Sequence, residues 1–214
     1  MSIQGRLQDL NTTLPSDVEL LSVTKYASLE TIQTLYNLGL RRFAESKIQD
    51  AEDKIKVLGY QDVSWELIGH LQRNKAKKAV TLFDRIQSVD SLRLLQKIND
   101  EAQKIAKKQK ILFQLNLAKE PQKHGFLEAD FLENEELLFS FDHVEVQGIM
   151  TMAKQDLNDD DCQLFFRSCK NFYDILKERH PSISVLSMGM SQDYEIAVKE
   201  GSNLVRLGSL IIND

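Results

Sequence analysis

Three places in this chain combine side chains that could hold and modify a small anionic carbonyl compound. Lys25 closes a β-like run, 19–25 (ELLSVTK), and is followed by Tyr26. A lone lysine there is usually a solvated surface residue, but at the mouth of a barrel its amine can condense with a carbonyl. The segment SMGMS at 187–191 precedes Gln192-Asp193-Tyr194-Glu195, which reads as a helix start. Gly189 permits close backbone approach, and Ser191 reads as the N-cap of a helix whose unpaired N–H groups suit an anion. Ordinary capping explains Ser191 equally well. Arg206 stands in the run 203–207 (NLVRL), on the opposite face from Val205 and Leu207. A guanidinium inside or atop a barrel needs a partner, because its desolvation is costly.

The elements that must position these residues follow from periodicity. Eight short β-like runs occupy 19–25, 41–45, 64–69, 84–89, 110–117, 144–150, 183–188 and 203–207. Between them lie stretches of helical period, such as Leu92, Leu95, Ile98 and Ala102, or Phe165, Phe166, Cys169, Phe172, Tyr173 and Leu176. Ser28 is a natural helix start, and Gly39 and Gly201 are natural stops. Strands alternating with helices pair in parallel through right-handed crossovers, and eight close a (β/α)₈ barrel. The expected architecture is a single TIM-type α/β barrel domain over 1–214, with an open doubly wound sheet as the alternative. Residues 208–214 are too few for a full eighth helix. An N-terminal helix, with Ile3, Leu7, Leu10 and Leu14 at helical spacing, is expected to cover the gap between strands one and eight.

Closure brings strand eight beside strand one, so Lys25 and Arg206 should become neighbours at one rim. In such barrels the functional rim is the C-terminal one, and the last two loops often hold phosphate. A lysine amine, an arginine and a backbone cradle then converge on a phosphorylated aldehyde, for which pyridoxal 5′-phosphate is the obvious candidate. If Arg206 faces the pyridine nitrogen, its charge opposes protonation there and weakens the ring as an electron sink. A stored or transferred cofactor is then expected in preference to carbanion chemistry.

The chain also resembles a known family, the pyridoxal phosphate homeostasis proteins (the YggS/PROSC family), which are similar to the N-terminal domain of bacterial alanine racemase. The resemblance rests on LLSVTKYAS around Lys25, LIGHLQRNKAKKAV from Leu67, SVDSL from Ser88, PQKHGF, GIMTMA from Gly148 and LSMGMSQDYEIAVKEGSNLVRLGS from Leu186. It implies a Schiff base on Lys25 and phosphate held near Ser191 and by the backbone at Leu207 and Gly208. It also implies Arg206 at the pyridine nitrogen, with Ser46 and Met190 completing the cofactor contacts. The family binds the cofactor and affects vitamin B6 homeostasis without a demonstrated reaction, so no catalytic residue is assigned. An amino-acid racemase-like enzyme of the same fold is the rival reading, and a cofactor-free lysine aldolase a third. One departure stands out: the family's FGEN after strand two is Phe43-Ala44-Glu45-Ser46 here, with Lys47 where an aromatic residue is common. Altered binding at that loop is expected, with the Lys25 bond retained.

Composition narrows the partners. The chain has 214 residues, a formal net charge of −5, 42% hydrophobic and 28% charged residues, and only 9 glycines and 3 prolines, which suits an ordinary globular core. Net acidity argues against phosphate-neutralising nucleic-acid binding, and the basic run Arg73-Asn74-Lys75-Ala76-Lys77-Lys78 reads as a solvated helix face. No apolar run approaches the ~18 residues of a membrane span, and no signal peptide is visible. Cys162 and Cys169, seven residues apart on one expected helix, lie roughly 10 Å apart along its axis, too far for a disulfide. The expected protein is a cytoplasmic monomer with reduced thiols, with apo pyridoxal phosphate enzymes as possible recipients. His70, His124, His143 and His180 show no metal-ligand spacing, so no metal is expected.

Overall fold

In the computed structural model, which describes residues 1–117, 124–154 and 156–212, eight parallel strands close into a barrel in the order β1 to β8. The strands are β1 (Glu19–Val23), β2 (Arg42–Glu45), β3 (Ser64–Leu67), β4 (Arg85–Val89), β5 (Gln109–Gln114), β6 (Val144–Met150), β7 (Val185–Met190) and β8 (Leu204–Leu207). The helices are α1 (Ile3–Thr13), α2 (Leu29–Asn37), α3 (Ile48–Leu58), α4 (Ala76–Leu82), α5 (Leu92–Lys104), α6 (Glu128–Glu133), α7 (Glu135–Leu138), α8 (Asp159–Arg179), α9 (Tyr194–Lys199) and α10 (Ser209–Ile212). All eight expected strands are present, and the closed barrel displaces the open-sheet alternative.

Strand alternation sorts the side chains. Phe43, Trp65, Leu67, Ile86, Ile111, Phe113, Val146, Ile149, Val205 and Leu207 join the main apolar core. Leu21, Ala44 and Leu204 form a small separate cluster with Val23, Ile68 and Val185. The remaining buried strand residues include Glu66, Gln87, Ser187 and Arg206. The core between strands and helices therefore carries most of the apolar burial, and the second apolar cluster is small.

The helices use local chemistry to start and stop. The Ser28 hydroxyl accepts the Thr31 N–H at 3.1 Å, capping α2, and Asn158 does the same for α8 through Asp161. Along α8, Cys162, Phe166, Cys169, Phe172, Tyr173 and Leu176 are buried, the period-3.6 face expected of an amphipathic helix. Both thiols are free, and burial pushes Cys162 up to about 11 and Cys169 up to about 12. After β8 only the short α10 follows among the described residues. The N-terminal helix meets it: Leu7 and Leu10 are buried, and Arg6 Nε donates to the Ile211 carbonyl at 2.8 Å. No helix among the described residues is long and apolar enough to cross a membrane.

Phe131 sits at the centre of an aromatic cluster, with ring centroids 5.2 Å from Phe113, 5.7 Å from Phe126 and 5.6 Å from Phe172. Phe131→Ala is expected to remove about 3–5 kcal/mol of stability in urea unfolding. Leu164→Ala on the exposed side of α8 should stay within about 0.5 kcal/mol. Equal effects would show that the cluster is not a centre of the packing.

Candidate functional site

A cavity of about 560 Å³ opens where strands end and helices begin, around the loops that follow β1, β2, β6, β7 and β8. Lys25, Ser46, Met190, Ser191, Arg206 and Gly208 all line it. Leu207 does not: it is fully buried and packs in the main core. The register explains the convergence. Pairing of β1 with β8 places Leu21 opposite Arg206 and Ser22 opposite Leu207, so the ends of both strands reach the same rim.

The structure places Lys25 differently from the expected strand end. β1 stops at Val23, and Lys25 lies in the turn beyond it, exposed, with Nζ 5.1 Å from the centre of the Tyr26 ring. The Thr24 N–H still donates to the Ala44 carbonyl of β2 at 2.9 Å, and the Ala27 N–H then returns to the Thr24 carbonyl at 2.9 Å, closing the turn that carries Lys25. Lys25 is therefore solvent-exposed at the cavity that it lines. The backbone beside it is braced. Lys54 Nζ donates to the Thr24 carbonyl at 2.7 Å and to Glu45 Oε1 at 2.8 Å, and Thr24 Oγ1 donates to the same oxygen at 2.7 Å. Glu45 is fully buried, and its Oε2 has no hydrogen-bond partner among the described residues.

Arg206 enters the barrel, as alternation from Val205 and Leu207 requires. It is 4% exposed, with NH1 donating to Ser187 Oγ at 2.7 Å and NH2 to the Thr151 carbonyl at 2.8 Å. Among the described residues no ion pair includes it. Burial pulls its guanidinium down to about 10, with Asp193 pushing the other way, so it stays protonated at neutral pH.

Ser191 is not the helix cap that its sequence position suggests. Asp193 is the N-cap residue of α9, and its Oδ1 turns back to accept the Met190 N–H at 2.6 Å, which holds the loop away from a Ser191-capped start. Ser191 Oγ instead faces the Leu210 N–H at 3.3 Å, tying the loop after β7 to α10. Gly189 has φ +94°, and a Cβ there would stand 2.7 Å from Ala197 Cβ, so glycine lets α9 pack onto β7. At Gly208 an added Cβ would meet the Val23 carbonyl at 3.0 Å and Val23 Cβ at 3.2 Å; the backbone after β8 fits closely against β1.

Two features were not visible along the chain. One is the buried polar group inside the barrel, where Glu66, Gln87 and Ser187 are all fully buried. The other gathers His70, Asp90 and His124, which sequence spacing keeps apart: both Nδ1 atoms approach Asp90 Oδ2, at 3.0 and 3.6 Å. The two rings stack with centroids 3.7 Å apart and planes 11° apart. The parallel rings turn their Nδ1 atoms to the same side, where Asp90 Oδ2 is the shared acceptor. The PQKHGF motif falls partly outside the described residues; His124, Gly125 and Phe126 are within them.

Comparison with known proteins adds a separate line. The family described as alanine racemase, N-terminal domain, matches residues 2–213. A pyridoxal phosphate homeostasis protein from Synechocystis sp. is 36% identical over 208 residues, covering 96% of this chain and 95% of that protein. PipY of Synechococcus elongatus with PLP bound has a TM-score of 0.93 at 32% identity, with 99% of this chain and 100% of that chain covered. Alanine racemase from Clostridium difficile shares the fold, at TM-score 0.84 and 16% identity, over 98% of this chain and 56% of that enzyme.

The brace beneath Lys25 is testable by itself. Lys54→Met leaves the buried Glu45 carboxylate without its cation and is expected to cost about 3 kcal/mol in urea unfolding. Combining it with Glu45→Gln should recover at least half of that loss. A single-variant effect below about 0.5 kcal/mol would mean that the pair contributes no more than a surface ion pair.

Proposed function

The chain belongs to the alanine racemase N-terminal domain family and, within it, to the pyridoxal phosphate homeostasis proteins, and we propose that it binds pyridoxal 5′-phosphate as a Schiff base on Lys25 and serves vitamin B6 homeostasis without catalytic turnover. The observation that carries this reading is the convergence of Lys25, Arg206, Ser191 and Gly208 on one cavity. Its volume, about 560 Å³, lies within the ~300–1,000 Å³ usual for small-molecule sites. Gly208, whose lack of a side chain lets the backbone after β8 fit against Val23, lines the same cavity.

When bound, the cofactor supplies an aldehyde and a conjugated ring able to take up electron density. Lys25 would hold the group through Nζ, an amine able to condense with that aldehyde with loss of water. Ser191 and the backbone at Gly208 would hold the phosphate, with Ser46 and Met190 at the cavity wall. Arg206 sets its fixed positive charge at the ring nitrogen and disfavours protonation there. That charge is the physical reason to read the site as storage or transfer. Another titratable group around the cavity supports this. Burial holds the Cys162 thiol in the cavity wall up to about 11, so it is not poised to exchange protons with a bound amino acid. In the same reading the protein acts as a cytoplasmic monomer, one barrel domain, that supplies apo-enzymes with the cofactor and binds neither nucleic acid nor membrane.

Loading the protein with pyridoxal 5′-phosphate, reducing with borohydride and mapping the peptides should place the label on Lys25, and Lys25→Ala should lose the visible absorption of the bound cofactor. Retention of that absorption in Lys25→Ala would overturn the site assignment. Sustained racemisation of a free amino acid by the loaded protein, abolished in Lys25→Ala, would favour the enzyme reading instead.

A further inference from the structure

A line of hydrogen bonds crosses the inside of the barrel and ends on Arg206. Arg42 on β2 pairs with Glu66 Oε1 on β3, at 2.5 Å from NH2. Glu66 Oε2 accepts from Gln87 Nε2 on β4 at 2.7 Å. Gln87 Oε1 accepts the Ser187 hydroxyl at 2.8 Å, across the lumen from β4 to β7, and Ser187 Oγ accepts Arg206 NH1 at 2.7 Å. Glu66, Gln87 and Ser187 are fully buried.

The direction of every bond is dictated by its neighbour. Glu66 accepts from Arg42 on one oxygen and from Gln87 on the other, so the Gln87 amide must present its NH₂ to it. The Gln87 oxygen then faces Ser187 and takes the single hydroxyl proton, which leaves the Ser187 lone pairs for Arg206. Reversing the amide would set two acceptors against each other at Glu66. The chain is therefore polarised from the carboxylate towards the guanidinium, with two neutral groups between them.

We propose that Gln87, acting through Ser187, is the positioning residue for Arg206. It pins the guanidinium at the cavity and, being neutral, keeps the Glu66 carboxylate from pairing with it and cancelling its charge. This rests on the reading that Arg206 faces the ring nitrogen of bound pyridoxal 5′-phosphate. With NH1 bonded to Ser187 and NH2 to Thr151, the side chain has one orientation, and its remaining N–H groups are available to the cavity it lines. The charged groups around the same cavity are Asp193 before α9, Lys25 in the turn after β1, Lys154, Asp156 and Asp159, with Glu66 reached through the chain; none is in an ion pair with Arg206 among the described residues. A glutamate at position 87 would deliver a negative charge one hydroxyl away.

The test compares the loaded wild-type protein with Arg206→Gln, Gln87→Met, Ser187→Ala and Ser187→Thr. Visible spectra of the bound cofactor are followed against pH, and melting of the unloaded proteins is recorded alongside. Gln87→Met and Ser187→Ala are expected to move the spectral midpoint in the same direction as Arg206→Gln and to weaken binding about tenfold. Ser187→Thr keeps the hydroxyl and should keep the wild-type midpoint. If Arg206→Gln moves the midpoint while Gln87→Met and Ser187→Ala only lower the melting temperature, Gln87 is a structural filler and the proposal falls, with the cofactor reading intact. An unmoved midpoint in Arg206→Gln would overturn the arginine reading and this inference with it.

Discussion

The guanidinium of Arg206 sits inside a parallel barrel, bonded to a serine hydroxyl and a backbone carbonyl rather than to a carboxylate. A buried cation without a counter-ion is unfavourable unless its donors are satisfied and something nearby supplies compensating dipoles. Much of the interior follows from that requirement. Ser187 presents lone pairs to the cation because Gln87 takes its proton, and Gln87 can do so because Glu66, held by Arg42, fixes the amide. The lumen is polar at this level, and the apolar burial that stabilises the fold lies mainly outside the strands, against the helices.

Barrel closure converts this interior arrangement into a site. Pairing of β1 with β8 puts the turn bearing Lys25 at the same rim as Arg206, and the loop after β7 reaches α10 through Ser191. The two basic groups are supported in different ways. Arg206 is locked by buried bonds, whereas Lys25 is exposed and only its backbone is braced, through Thr24, Glu45 and Lys54. A rigid cation and a side chain free to reach suit a ligand that must be both oriented and covalently held.

How much of this was legible beforehand depended on the range of the interactions. Strand and helix periods are local, so the eight strands, the buried face of α8 and the Ser28 cap could be read directly. The inward face of Arg206 follows from alternation with Val205 and Leu207, and its closeness to Lys25 from closure. Ser191 misled because two competing cap residues stood two positions apart, and the choice turned on Asp193 reaching back to Met190. The end of β1 misled because a turn, closed by the Ala27 N–H on the Thr24 carbonyl, carries Lys25 beyond the strand. The Gln87–Ser187 bond joins residues a hundred positions apart, and the His70–Asp90–His124 group draws on three separate loops. Neither leaves a periodic trace.

The central claim is that an uncancelled positive charge faces the cofactor ring. Nitrogen-15 NMR of pyridoxal 5′-phosphate labelled at its ring nitrogen and bound to the protein measures this directly. The account predicts the shift of an unprotonated pyridine, unchanged on passing from mildly alkaline to mildly acidic solution. A pyridinium shift at neutral pH would contradict it.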